Sequence, residues 1–287
     1  MIQNTVSDST LYGDGKLMLS VDTSTVSMTT ALTRGREILG EITSKAERNH
    51  SLYLVPTLQR LMTECGVRPD ELSAFAVGVG PGSYTGVRIG VTVAKTFAWT
   101  RKLALLGVST LEALALGGAG SASEYTALQD GETVRGGALQ AMDSLLDAAR
   151  ATGETTWVVP LIDARRGQAF TALYAVSPEG WKCRVPDGIR LTASWTDELL
   201  PLAASAEAGP GRVVFTGELE LHQEAIRSFA SRWGGPVTEA PHELRARHVA
   251  ELGLMRWKRG ETEDVHGLVP NYTQLAEAEA KLLAKKS

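Results

Sequence analysis

Three stretches of the 287-residue chain have the residue types and spacing to do chemistry. Asp22-Thr23-Ser24 ends an apolar run, Leu17-Met18-Leu19-Ser20-Val21, which puts a carboxylate and two hydroxyls at a strand's C-terminal end, where open α/β sheets bind ligands. Magnesium or phosphate would find partners there; an Asx or Ser/Thr turn that satisfies its own backbone uses the same residues. Gly80-Pro81-Gly82-Ser83-Tyr84-Thr85-Gly86-Val87-Arg88-Ile89-Gly90 follows a second apolar run, Ala74 to Val79, and opens a helical one. Gly80, Gly82, Ser83, Thr85 and Arg88 are therefore candidates to hold an anion at free N–H groups and the positive end of a helix dipole. No Gly-Lys-Ser/Thr follows, so this is not a Walker loop, and a turn that needs glycine for its dihedrals is the alternative. In Asp163-Ala164-Arg165-Arg166-Gly167 an apolar strand again ends in an aspartate, with two arginines that suit phosphate, a partner's carboxylates or a plain surface turn.

Other chemistries lack their residues. His50, His222, His242, His248 and His266 give no pair of zinc-site spacing, and Cys65 and Cys183 stand far apart with no CxxC, so no metal and no disulfide framework is expected. Two such cysteines fit a reducing, cytoplasmic setting. A net charge of −4 excludes a broad basic face, leaving Arg245, Arg247, Arg256, Lys258 and Arg259 as a local patch or a solvated helix face. No apolar stretch reaches the ~18 residues of a membrane span.

The elements that position these residues follow from periodicity. Leu17–Asp22, Val26–Thr33 and Glu37–Ser44 read as a three-stranded meander, and Ala74–Val79 and Leu103–Leu106 as further strands. Ser109 with Glu112 forms a capping box for the helix that follows. Trp157–Asp163 and Gln168–Tyr174 echo the first hairpin, and Val213–Phe215, Leu221–Trp233 and Glu243–Gly260 continue a second unit. The expected organisation is a flexible extension over 1–16, an α/β lobe over 17–116, a Gly/Ala-rich insertion over 117–156 and a second α/β lobe with a C-terminal helix over 157–287.

Two helices carry faces that invite a partner. In Ser51–Cys65, Leu52, Val55, Leu58 and Met62 recur at three- and four-residue steps. In Thr85–Thr100, Gly86, Gly90, Ala94 and Ala98 lie on one side and form a shallow groove bordered by Val87 and Val91. A glycine inside a helix costs roughly 1 kcal/mol relative to alanine, so two of them signal a close neighbour, either another chain or this chain's own sheet.

Taken together, Leu19-Ser20-Val21-Asp22-Thr23-Ser24, Asn49-His50-Ser51, the run from Gly78 to Gly90, Gly107-Val108-Ser109-Thr110-Leu111, Ile162-Asp163-Ala164-Arg165-Arg166-Gly167 and Pro270-Asn271-Tyr272…Ala276-Glu277-Ala278 resemble the TsaB (YeaZ) family in order and spacing. The resemblance implies a two-lobed, actin-like and Hsp70-like ATPase fold. It implies a non-catalytic scaffold that binds the transferase TsaD in making threonylcarbamoyladenosine on tRNA, with the ATPase TsaE joining and tRNA reached only through the complex. A homodimer is expected when the partner is missing. No catalytic residue and no tightly bound cofactor is implied; ATP or ADP with magnesium would sit at the complex interface. Gln168 stands where the family has glutamate, and Thr273-Gln274 replaces a Leu-Arg pair. The alternative is an enzyme of the same fold, either a phosphotransferase using Asp22 and Asp163 around magnesium or a metallopeptidase.

Overall fold

The computed structural model describes residues 15–45, 50–120, 130–205 and 209–273. Nearly all of the N-terminal extension, Asn49, Ala276-Glu277-Ala278 and the expected C-terminal helix lie outside them. The first lobe is built from β1 (Leu17–Asp22), β2 (Met28–Arg34), β3 (Glu37–Ser44), α1 (His50–Glu64), β4 (Leu72–Gly78), α2 (Tyr84–Arg101), β5 (Ala104–Val108) and α3 (Thr110–Gly120). After β6 (Thr133–Val134) and α4 (Ala141–Thr152), the second lobe repeats this order as β7 (Thr156–Asp163), β8 (Gln168–Ser177), β9 (Gly180–Leu191), α5 (Thr192–Ala203), β10 (Arg212–Gly217), α6 (Gln223–Trp233), β11 (Val237–Pro241) and α7 (Ala246–Lys258).

The two sheets have one topology. The first runs β5-β4-β1-β2-β3-β6 and the second β11-β10-β7-β8-β9, each with an antiparallel meander beside parallel inner strands. Asp22 and Asp163 therefore end equivalent strands. Every residue of β1 is buried, as expected for a central strand covered by helices on both faces. This is a two-lobed α/β fold of mixed sheets flanked by helices.

The lobes exchange their last helices. α3 packs on β7 and β10 of the second lobe, while α7 packs on β1 and β5 of the first. Met18, Ala76 and Leu106 consequently share one core with Val158, Ala172 and Tyr174, through Leu111, Leu114, Val249 and Leu252. Separate cores lie under α1 and α2 and under α5 and α6.

The described parts of 117–156 are built into the fold rather than standing outside it. β6 pairs with β3, and α4 buries Met142 and Ala149. Glu251 of α7 accepts from the first N–H groups of α4, those of Ala141 at 3.2 Å and Met142 at 2.9 Å.

Candidate functional site

The first candidate turn and the glycine run fill each other. Asp22 is wholly buried; its Oδ1 accepts from the Ser24 amide at 2.6 Å and its Oδ2 from the Thr110 hydroxyl at 2.7 Å. Burial raises its pKa, and the Ser24 amide and Thr110 hydroxyl pull it back. The Ser83 amide donates to the Ser24 carbonyl at 2.7 Å, and the Thr23 hydroxyl donates to the Gly86 carbonyl at 2.6 Å. A Cβ on Gly78 would strike the Asp22 carboxylate, one on Gly82 the Ser24 carbonyl, and one on Gly86 the Thr23 carbonyl. The glycines thus serve the close approach of two backbones.

Asp22, Thr23 and Ser24, the candidate nucleotide or magnesium residues, thus have their polar atoms enclosed by the chain itself. Donors of the run are engaged as well: the Gly80 amide bonds to the Thr110 hydroxyl and the Gly86 amide to the Ser83 hydroxyl, which caps α2. Arg88, Ser83 and Thr85 remain exposed.

Much of the expected interface set faces inward. Gly86, Val87, Gly90, Val91 and Ala94 are buried against the lobe's own strands, as are Leu58 and Met62 of α1. A Cβ on Gly90 would lie 2.7 Å from Thr23 Oγ1, so the small-residue groove holds the strand-end turn. Of the expected set, Leu52 and Val55 face solvent, 66% and 38% exposed, joined by Tyr53 at 52% and Tyr84 at 47%. His50 starts α1, and its Nε2 lies 3.2 Å from the Thr25 carbonyl, which sets the start of α1 against the turn that carries the exposed Val26.

The chain is 35% identical over 265 residues to the tRNA threonylcarbamoyladenosine biosynthesis protein TsaB of Bacillus subtilis, covering 92% of this chain and 96% of that protein. It belongs to the TsaB family. The Escherichia coli TsaB is 36% identical over 57% of each chain. A family model described as TsaD, tRNA N6-adenosine threonylcarbamoyltransferase, matches residues 36–133. Among solved structures, an uncharacterized Pseudomonas aeruginosa protein with similarity to the peptidase YeaZ superposes with a TM-score of 0.63 at 23% identity, over 90% of this chain and 100% of that one, a likeness of fold.

In this TsaB-family chain the equivalent strand end of the second lobe is more open. The Asp163 amide donates to Glu218 at 2.8 Å, and His222 Nε2 lies 3.4 Å from Asp163 Oδ1 while its Nδ1 meets the Thr192 hydroxyl at 2.9 Å. Burial raises the Glu218 pKa and lowers that of His222, which Asp163 partly offsets. Arg165 and Arg166 are exposed at the tip of the β7–β8 turn, both with positive φ. Among the described residues no group of three or more His, Cys, Asp or Glu side chains is arranged to hold a metal.

The suspected basic patch is largely internal structure. Arg245 and Arg247 bind the fully buried Glu41 at 2.5 and 2.7 Å, and Arg256 binds Glu112 at 3.1 Å and the Gly107 carbonyl. Sequence reasoning missed Asp187 of β9, which accepts from Ser109 at 2.7 Å, Asn271 at 2.9 Å and Tyr174 at 3.1 Å, and so fastens both lobes to the C-terminal segment. The capping box is accordingly half formed: Ser109 accepts from the Glu112 amide at 3.2 Å, while the Glu112 carboxylate turns to Arg256 and Trp181. The only advance signal for Asp187 was its partner Asn271 within Pro270-Asn271-Tyr272.

Proposed function

We propose that this chain acts in tRNA threonylcarbamoyladenosine biosynthesis as a scaffold and activating subunit, binding a TsaD-family transferase through the outward faces of α1 and the start of α2. One observation carries the reading: Leu52, Tyr53 and Val55 of α1 and Tyr84 at the start of the adjoining α2 are large apolar side chains left exposed on a lobe that matches the transferase's own family model. Apolar surface gathered in this way marks an interaction site. Because the match with the TsaD model begins at residue 36 and runs through α1 and α2, the two proteins would pair through equivalent helices. Two copies of this chain would pair likewise when the transferase is missing. TsaE, tRNA and any ATP or ADP with magnesium join at the assembled complex. The enclosed Asp22 turn, whose carboxylate oxygens are already bonded, supports a binding role over a phosphotransferase centred there.

The test mixes the purified chain with the TsaD-family transferase of the same cell and follows association by light scattering. Leu52→Asp is expected to abolish the complex and leave thermal unfolding unchanged, because residue 52 is exposed. Failure of the wild-type chain to form a complex would overturn the proposal.

A further inference from the structure

The first two turns of α2 carry a constructed side-chain arrangement that the apolar face does not explain. The Arg88 guanidinium lies 4.0 Å from the Tyr84 ring centroid and 5.5 Å from that of Tyr272, and its Nε donates to the Tyr272 hydroxyl at 2.7 Å. The two rings are themselves 5.4 Å apart. All three residues are exposed, and no carboxylate among the described residues pairs with Arg88.

Tyr272 is delivered to this place from the far end of the chain. The segment after α7 runs back along α2, with the Lys95 ammonium bonding the His266 and Leu268 carbonyls and Leu268 buried in the first lobe's core. Asn271 then fixes the last step, its amide donating to the Val79 carbonyl at 2.7 Å and its side chain to Asp187. A guanidinium stacked on two rings and hydrogen-bonded at Nε has lost most of its rotamer freedom before any ligand arrives.

We propose that Tyr84, Arg88 and Tyr272 form a preorganised anchor for a carboxylate side chain of the partner protein, Arg88 binding it while the two rings flank the guanidinium. The inference rests on the scaffold reading above and adds the residue that fixes the register of that interface. A carboxylate fits better than a phosphate chain. Nucleic-acid binding neutralises several phosphates with several cations, whereas among the described residues Lys95 of the same helix is engaged with carbonyls, and the whole chain carries −4. Tyrosines around one arginine are the make-up of a protein–protein hot spot.

The experiment compares wild type, Arg88→Lys, Arg88→Gln and Tyr272→Phe for binding to the TsaD-family transferase by calorimetry, with thermal unfolding of each chain alone. Both arginine variants are expected to bind at least tenfold more weakly with unchanged melting, lysine failing almost as badly as glutamine because it lacks the planar fork, and Tyr272→Phe more weakly by a smaller factor. Arg88→Glu paired with an Asp→Lys or Glu→Lys change at the matching transferase position is expected to regain part of the loss. Arg88→Lys binding as tightly as wild type would overturn the anchor and leave the scaffold reading standing. Absence of wild-type binding would overturn both. Retained association with lost tRNA capture by the complex would assign Arg88 to phosphate and overturn the carboxylate.

Discussion

The Thr23 hydroxyl donates to the Gly86 carbonyl at 2.6 Å, across 63 residues of sequence. This bond joins the turn after β1 to the first turn of α2, and the missing side chains of Gly82, Gly86 and Gly90 are what allow the two to touch. The most glycine-rich motif of the chain is thereby explained as an internal joint.

Gly90→Leu should therefore unfold the lobe more readily, not merely disturb association. The new side chain would meet Thr23 and Val77. Overpacking of this kind costs about 1–3 kcal/mol or more, against roughly 0.8 kcal/mol gained in helix propensity. Urea denaturation of the isolated chain checks it: an unchanged midpoint would return Gly90 to the surface.

Glu41→Ala is expected to cost about 3–5 kcal/mol, because it strands Arg245 and Arg247 on the inner side of α7 without their shared counter-charge. The lesion lies between the first sheet and the start of α7, so hydrogen exchange should quicken at residues 245–249 before it does so in α5 or α6. Uniform acceleration across both lobes would contradict this assignment.

The rings of His242 and His248 lie tilted against each other, 5.7 Å between centroids, beside Gly117. Burial lowers the pKa of His242 to about 4 and that of His248 well below its ordinary value, with neighbouring positive charge adding to the shift. A histidine kept neutral by the fold binds fewer protons there than in the unfolded chain, so stability is full above about pH 6.5 and falls as the pH drops toward 4. Between pH 7 and pH 5 the wild type should lose about 2 kcal/mol more than His242→Asn, since the carboxylates common to both cancel in the comparison. Denaturant midpoints at the two pH values measure it, and parallel losses would refute it.

Asn271→Ala should loosen the C-terminal segment while leaving both sheets intact, because it removes one of three donors to Asp187. Faster amide exchange is expected at residues 268–272, with stability lowered by about 1 kcal/mol, as for one typical side-chain hydrogen bond. Unaltered exchange there would show that Leu268 and the Lys95 bonds hold the segment by themselves.

Local signals in the sequence determined most of the elements. β1 and β3 match their expected bounds, and α1 and α2 begin and end within a residue of theirs, because each is fixed by an apolar run or stripe and by turn residues beside it: Gly66 after α1, Ser83 before α2. β9, β11 and α5 carried no such pattern and were found only in the fold. What the sequence left open was direction. The row Gly86, Gly90, Ala94 announces a close neighbour equally well for another chain or for the chain's own turn, since periodicity gives a face and not what covers it. Only the tertiary structure put Thr23 against that row, turned Leu58 and Met62 inward while leaving Leu52 and Tyr53 outside, and brought Arg245 and Arg247 onto Glu41 from over 200 residues away. Those choices depend on burial of charge and backbone between segments far apart in sequence, and they arise when the two lobes close on each other through α3 and α7.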